Sequence, residues 1–327
     1  VSFKVTSLFS GCGGMDLGAL GGFEYQGKHF EAHNTEIVFS SDIDKYAVDI
    51  YNNNFNHKSI LGDIRELKDE IPKHDILIGG FPCQSFSIVA QNPPRLGYKN
   101  DTGKLFFEMV DVLKKIKPSV FIAENVKGIL SANKKQAFPL IINAFEEAGY
   151  YCCSEILNAS KYGIPQKRER VFIIGFRDKN AFDSFCFPKE NEEVIPLKKV
   201  IFSECSIDEK YYFSEKAVQG MLKNKEKMNK GRAQNINEPC NTITAHLSKA
   251  SLNSVDPVLF INDKYRRFTP REAARIQSFP DDFEFNTSDT RAFKAIGNAV
   301  PPVLMWNVMN NIIKALSDCK YIKNSAA

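Results

Sequence analysis

"FKVTSLFSGCGGMDLG", residues 3–18, is where the fold is decided. A short apolar run reads as a strand, breaks at a turn holding Gly11, Gly13 and Gly14, and continues as the start of a helix. A strand feeding a helix through a tight turn is the opening unit of a sheet built from strand–helix repeats. Glycines there let the chain bend sharply and let a ligand lie against the backbone at a helix N-terminus. Against the dinucleotide-binding pattern the match is imperfect, because Asp16 stands where a third glycine belongs. A plain structural turn explains such a loop as readily as a ligand site does.

The same rhythm runs outward to residue 176. "FKVTSLF", "EIVFSSD", "HDILIGGF", "SVFIAEN", "YCCSEILNA" and "RVFIIGF" read as strands. "KYAVDIYNNNF", "GKLFFEMVDVLKKI" and "QAFPLIINAFEEA" read as helices, the second with Leu105, Met109, Val112 and Ile116 on one face. The fold class expected is therefore α/β, with a mainly parallel sheet covered on both sides. After residue 188 the rhythm breaks, and 189–262 are polar and rich in Lys and Asn, with short strand-like pieces in "CNTITAHL" and "PVLFI". This predicts a smaller, irregular second domain. The expected division is 1–187 with 292–327 as one domain, 188–270 as the second, and 271–291 as a hinge segment. Met305, Met309, Ile312 and Leu316 make one apolar face of a last helix, expected to pack back on the first domain.

Composition excludes several classes. Of 327 residues 43% are hydrophobic and 25% charged, as in ordinary globular proteins. No run of 18 apolar residues occurs, and "VSFKVTSLF" is too short and polar for a signal peptide, so a cytoplasmic protein without membrane partners is expected. Eight cysteines form no C-x-x-C pair and have no metal-ligand spacing with the five histidines, so no metal and no disulfide framework are expected. Net charge is only +4, yet 216–232 hold six basic residues and one acid. Such a run is usually a solvated face, and it could equally neutralise backbone phosphates.

The chemistry gathers at strand ends. "FSSDID" places Asp42 where an acid could hold two ribose hydroxyls, and "LGDI" offers Asp63 to an exocyclic amine. Either acid alone also reads as a helix cap. "ILIGGFPCQSFSIV", residues 76–89, ends a buried strand in two glycines and sets Cys83 on a turn stiffened by Pro82. Cys83 taken alone is a small buried hydrophobe. "SVFIAENV" delivers Glu124 and Asn125 at the next strand end, and burial there would raise the carboxyl's pKa. "YGIPQKRERVFIIGF" sends Arg168 and Arg170 to one side of an extended segment.

In order, "FSGCGG", "GFPCQSFS", "ENVKG", "QKRER", "PREAARIQSFP" and "IGNAVPP" resemble the motif series of the cytosine-carbon-5 DNA methyltransferases of bacterial modification systems. The resemblance runs from Phe9 to Pro302 and lapses over 189–262, the part that varies in that family because it reads the target sequence. It implies a Rossmann-like S-adenosylmethionine-dependent methyltransferase sheet with a smaller target-recognition domain. S-adenosylmethionine would be the methyl donor and S-adenosylhomocysteine the product, with no metal. Phe9 would stack on the cofactor, Gly11, Gly13 and Gly14 would carry its methionine part, and Asp42 its ribose. Asp63 and Ile64 would meet the adenine, with Pro82, Leu105, Asn298 and Val300 completing the pocket. The family usually has an aromatic residue after the ribose acid, and here it is Ile43.

For catalysis the resemblance implies Cys83 as nucleophile on carbon 6 of a flipped cytosine, and Glu124 on ring nitrogen 3 and the amino group. Arg170, with Arg168, would engage the carbonyl at position 2. Gln84, Ser85, Ser87 and Thr242 would contact double-stranded DNA, and 84–104 would form a loop closing over the base. A monomer is expected, with room for a cognate restriction endonuclease that forms no stable complex with it. Three other readings have cheap tests. A nicotinamide-dependent dehydrogenase leaves Cys83 and Glu124 without work, and a silent DNA-binding module leaves all the catalytic residues idle. A transfer-RNA cytosine methyltransferase keeps the chemistry, and the separate segment 189–262 favours DNA over it.

Overall fold

Strands buried on both faces must be apolar nearly throughout, and the middle strands of the sheet, ILIG over Ile76–Gly79 and VFIAENV over Val120–Val126, largely are. In chain order the computed structural model places β1 (Phe3–Leu8), α1 (Gly14–Leu20), β2 (Phe23–Tyr25), β3 (Lys28–Phe30), β4 (Thr35–Asp42) and α2 (Lys45–Asn54). Next come β5 (Ile60–Leu61), α3 (Ile64–Leu67), β6 (Ile76–Gly79), α4 (Leu105–Ile116), β7 (Val120–Val126) and α5 (Ala137–Glu147). β8 (Tyr151–Asn158), β9 (Gln166–Lys167), β10 (Glu169–Phe176) and α6 (Lys179–Ser184) follow. The remainder is α7 (Glu215–Lys223), β11 (Cys240–Asn241), β12 (Leu259–Ile261), β13 (Lys264–Arg266), α8 (Pro270–Ile276), α9 (Asp289–Asn298) and α10 (Pro302–Ser325). The structure describes residues 2–82, 105–191, 193–202, 207–223, 233–249 and 256–325.

Seven strands form one sheet in the order β5-β4-β1-β6-β7-β10-β8. β5, β4, β1, β6 and β7 run parallel, and β10 is antiparallel to both β7 and β8. The antiparallel pair refines the expected mainly parallel sheet. Its cause is the link between β8 and β10, too short for the dozen or more residues a parallel crossover needs.

Alternation sorts the strand residues to two faces. Ile76, Ile78 and Ile122 join Met305, Met309, Ile312 and Leu316 of α10 on one face, so the last helix packs back as its pattern predicts. Leu77, Phe121, Ala123 and Ile173 join Phe106, Met109 and Leu113 of α4 on the other. A third apolar cluster mixes Cys12, Ile50, Tyr51 and Phe55 with Leu197, Ile243, Phe268 and Ile296. The later segments thus share a core with α2. The expected division after residue 291 falls inside α9, which lies in this cluster as one piece.

Two strand-like pieces come out shorter than expected. "CNTITAHL" pairs only over Cys240–Asn241, along β9, because Ile243 N then donates to the Gln166 side chain instead of a neighbouring strand. "PVLFI" becomes β12, which folds onto β13 through Asn262 and Asp263, both at positive φ (46° and 62°). The basic run begins on α7, and its residues 224–232, with Lys225 and Lys227, lie outside the described residues.

Candidate active site

β1 has β4 on one side and β6 on the other, so the chain leaves the sheet centre in both directions. Ligands in open α/β sheets bind outside the carboxyl ends of strands at such a switch point. A cavity of about 630 Å³ lies there, a size suited to a nucleotide-like ligand. It is lined by Phe9, Gly11, Gly14, Asp42, Ile43, Asp63 and Ile64 from the early turns and by Pro82, Leu105, Asn298 and Val300 from later ones. Glu124, Arg168 and Arg170 line it too.

The turn after β1 divides its glycines between two jobs. Gly11 sits at φ +55° with nothing within 4 Å of where a Cβ would stand, so its backbone faces open space. Gly13 does not line the cavity, and a Cβ there would come within 2.3 Å of the Phe55 ring. Its small size makes room for that ring. A Cβ on Gly14 would meet the Val300 carbonyl oxygen at 2.3 Å, so that glycine lets the last loop close on the turn.

Asp42 ends β4 and straps the turn: its carboxylate accepts from Gly11 N and from Asp44 N, both at 2.8 Å. Burial nonetheless raises its pKa, against the lowering effect of those donors. Asp63 caps α3 by accepting from Arg65 N at 2.9 Å, and the Arg65 guanidinium also grips it, holding its pKa down. The capping role is therefore present, and the carboxylate still faces the cavity.

Beneath the turn sits a residue whose part the sequence did not disclose. Asp16 is fully buried and accepts from Ser7 Oγ at 2.8 Å and Tyr51 OH at 2.9 Å. Burial pushes its pKa up to about 6. The acid that spoils the glycine pattern thus ties β1, α1 and α2 together under the ligand turn.

At the other end, pairing of β7 with β10 sets the charged groups. Arg170 Nε lies 3.1 Å from Glu124 Oε1, with the two side chains 14% and 11% exposed. Burial raises the Glu124 pKa, and the Arg170 and Arg168 guanidinium groups pull it back. A Cβ on Gly80 would stand 3.3 Å from Glu124 Oε2, so the chain leaving β6 passes beside this carboxylate. Asn125 fixes that passage by donating from Nδ2 to the Phe81 carbonyl at 2.9 Å. Cys83, Gln84, Ser85 and Ser87 lie outside the described residues, and Pro82 is the last described residue before them.

Arg168 and Arg170 have different settings. Arg168 is 1% exposed and donates to the carbonyls of Ile243 (3.1 Å), Gly297 (3.0 Å) and Ala299 (2.9 Å). Burial lowers its pKa to about 9. Gln166 and Gln277 extend this brace: Gln166 accepts from Ile243 N at 2.8 Å and donates to Gln277, which donates to Ala299 O. The two arginines expected to share a role thus differ in setting: Arg168's terminal nitrogens bond main-chain carbonyls, although it too lines the cavity. Thr242, expected to touch DNA, donates its hydroxyl to Lys167 O at 2.8 Å. Two further cavity residues, Tyr46 and Arg291, stack on each other at the rim, 245 positions apart, with no signal in the sequence. Among the described residues no three His, Cys, Asp or Glu stand where they could hold a metal ion. None of the described helices is long and apolar enough to cross a membrane.

The sheet, with its antiparallel β10 inserted before β8 and a ligand cavity at the switch point, is the fold of the S-adenosylmethionine-dependent methyltransferases. Residues 3–314 match the C-5 cytosine-specific DNA methylases, and the chain belongs to that family. It is a DNA (cytosine-5-)-methyltransferase. It is 36% identical to type II methyltransferase M.FnuDI of Fusobacterium nucleatum, over 98% of this chain and 97% of that one. It is 34% identical to type II methyltransferase M1.ScrFI of Lactococcus lactis subsp. cremoris, over 97% and 80%. Its fold resembles the crystal structure of S. pombe Dnmt2 methyltransferase, with a TM-score of 0.73 at 18% identity, covering 97% of this chain and 99% of that one.

Proposed function

We propose that the protein is a type II modification enzyme that methylates carbon 5 of a cytosine within a specific duplex sequence, using S-adenosylmethionine. The observation that carries the site assignment is the buried Glu124–Arg170 pair, at 3.1 Å, in the same cavity as the Gly11–Asp42 strap. A cavity of about 630 Å³ with an open glycine backbone at one end and an acid beside it fits the cofactor's amino-acid and ribose parts. Gly11, Asp42, Asp63, Ile64, Asn298 and Val300 would hold it. When bound, the cofactor supplies an electrophilic methyl group.

The chain's own residues do the rest. Cytosine carbon 5 is not nucleophilic until the ring electrons are released, and addition of the Cys83 thiolate to carbon 6 releases them. Glu124, kept protonatable by burial, bonds ring nitrogen 3 and stabilises the charge that develops there. Arg170 holds Glu124 in place and faces the base carbonyl, while Arg168 braces the surrounding loops. Once carbon 5 carries the methyl group, loss of its proton to water expels Cys83 as the thiolate and restores the ring. The base must leave the duplex to enter the cavity.

Two measurements test this reading. Duplex DNA carrying 5-fluorocytosine at the target should trap the protein covalently, because fluorine cannot depart as the proton does. Cys83→Ser should abolish trapping and reduce methyl transfer by about a thousandfold or more, with S-adenosylhomocysteine binding retained. Undiminished turnover in Cys83→Ser would refute the mechanism. Bisulfite sequencing of methylated plasmid identifies the target sequence.

A further inference from the structure

The rim of the cavity carries two contacts that the chemistry above does not use. The Arg291 guanidinium carbon lies 3.3 Å from the centroid of the Tyr46 ring. One helical turn further along α9, Lys294 Nζ lies 2.6 Å from Asp44 Oδ2. Residues three apart on a helix share a face, so Arg291 and Lys294 reach the same way. Their partners lie at one place too: Asp44 caps α2 through Tyr46 N and Ala47 N, and Tyr46 is the second residue of that helix.

The two elements joined both contribute walls to one cavity. Asp42 and Ile43 lead directly into α2, and α9 ends at Asn298, two residues before Val300. Asp44, Tyr46, Arg291 and Lys294 all line the cavity. Their exposure separates them from the deeper joint between α2 and α9: Tyr46 is 39% exposed, Arg291 and Lys294 are exposed, while Ile50 and Ile296 beneath are buried. The rim contacts can therefore open without uncovering a core. Ile43, at 71% exposed, closes nothing by itself, so the aromatic surface on this side comes from Tyr46.

We propose that the Tyr46–Arg291 and Asp44–Lys294 pairs form a latch over the adenosine end of the cofactor subsite, opening to admit the nucleoside and closing to delay its escape. The proposal rests on the reading of this cavity as the S-adenosylmethionine site. An exposed cation on an aromatic face and a partly exposed ion pair are individually weak, so each can break on its own and both together hold. Closure brings a flat, polarisable surface and two cations to the rim, and leaves Asp42 and Gly11 to do the binding within. The latch residues act through the walls they join, as positioning residues.

S-adenosylhomocysteine is the probe, with its affinity measured by titration calorimetry and its release rate by stopped flow. Arg291→Ala and Lys294→Ala should each weaken binding by about two- to fivefold and the double variant by about tenfold, the loss lying in faster release. Arg291→Lys, which keeps a cation over the ring, should restore most of the single loss, and Tyr46→Phe should bind as the parent does. Ligand-free melting temperatures should stay within about 2 °C of the parent, as for other surface changes. An unchanged release rate in the double variant, while the parent binds the probe, overturns the latch and leaves the cofactor assignment standing. Failure of the parent to bind the probe overturns both. If instead the variants keep the probe and lose DNA affinity with a shallower salt dependence, the two cations are phosphate contacts and the latch is wrong.

Discussion

The two ends of the cavity are made from different materials. At the cofactor end the carboxylates are held largely by main-chain donors: Gly11 N and Asp44 N on Asp42, and Arg65 N, with the Arg65 guanidinium, on Asp63. At the base end it is done by charged side chains taken out of water, with Glu124 and Arg170 little exposed and Arg168 buried. Main-chain donors fix an acceptor carboxylate in one pose at little desolvation cost. Buried charges are costly to hold, and they act strongly on charge that develops in the low-dielectric space between them. One end is suited to binding and the other to a transition state.

Substitution should separate the two. Glu124→Gln keeps the shape of the base end and removes its ionisable proton. Loss of such a group costs on the order of 3 kcal/mol, so turnover should fall by roughly a hundredfold or more while DNA affinity changes little. Single-turnover kinetics and DNA titration check it, and a near-parental rate would erase the contrast.

The next largest effect is expected beneath the cofactor turn, and it is one of stability. Asp16 binds its proton more tightly when folded, with a pKa about 6 against 3.8 in a free chain. The folded state therefore carries more protons between those values, and stability must fall as pH rises through that window. Relative to Asp16→Asn, the parent should lose up to about 3 kcal/mol between pH 4 and pH 6 and then level off. Urea unfolding across that range measures it, and a flat difference would show that the burial costs nothing.

Smallest is Asp42→Ala, which should weaken S-adenosylhomocysteine by about ten- to a hundredfold, or roughly 1.5–3 kcal/mol for charged hydrogen bonds. Turnover at saturating cofactor should remain within a few-fold of the parent. A fall in turnover as deep as that of Glu124→Gln would mean that the two ends are not separable.

Those ends also differed in how far they could be read from the chain. Asp42, Asp63 and Gly11 were legible because each stands at or within three residues of a strand end, and the longer strands announce themselves by apolar runs. Glu124 was legible for the same reason. The antiparallel course of β10 was not, because direction depends on pairing partners and not on composition. Arg168 and Arg170 look equivalent in "QKRER", and only the carbonyls of Ile243, Gly297 and Ala299 distinguish them. Gly13 fits a ligand pattern, and its lack of a side chain also makes room for the Phe55 ring, which no pattern announces. Asp16 broke the pattern and supports the turn through Ser7 and Tyr51, the latter 35 positions away.

The brace formed by Gln166 and Arg168 has a consequence for how such a chain can change. Both side chains grip Ile243 by its main-chain N–H and carbonyl alone. Gly297, on the facing helix, leaves bare room for the backbone of Thr244 and Ala245, where any Cβ would come within 2.2 Å. These contacts use main-chain atoms, while the Ile243 side chain packs in the third apolar cluster. A substitution at 243–245 would therefore leave these hydrogen bonds in place wherever its side chain fits the space that the present one fills.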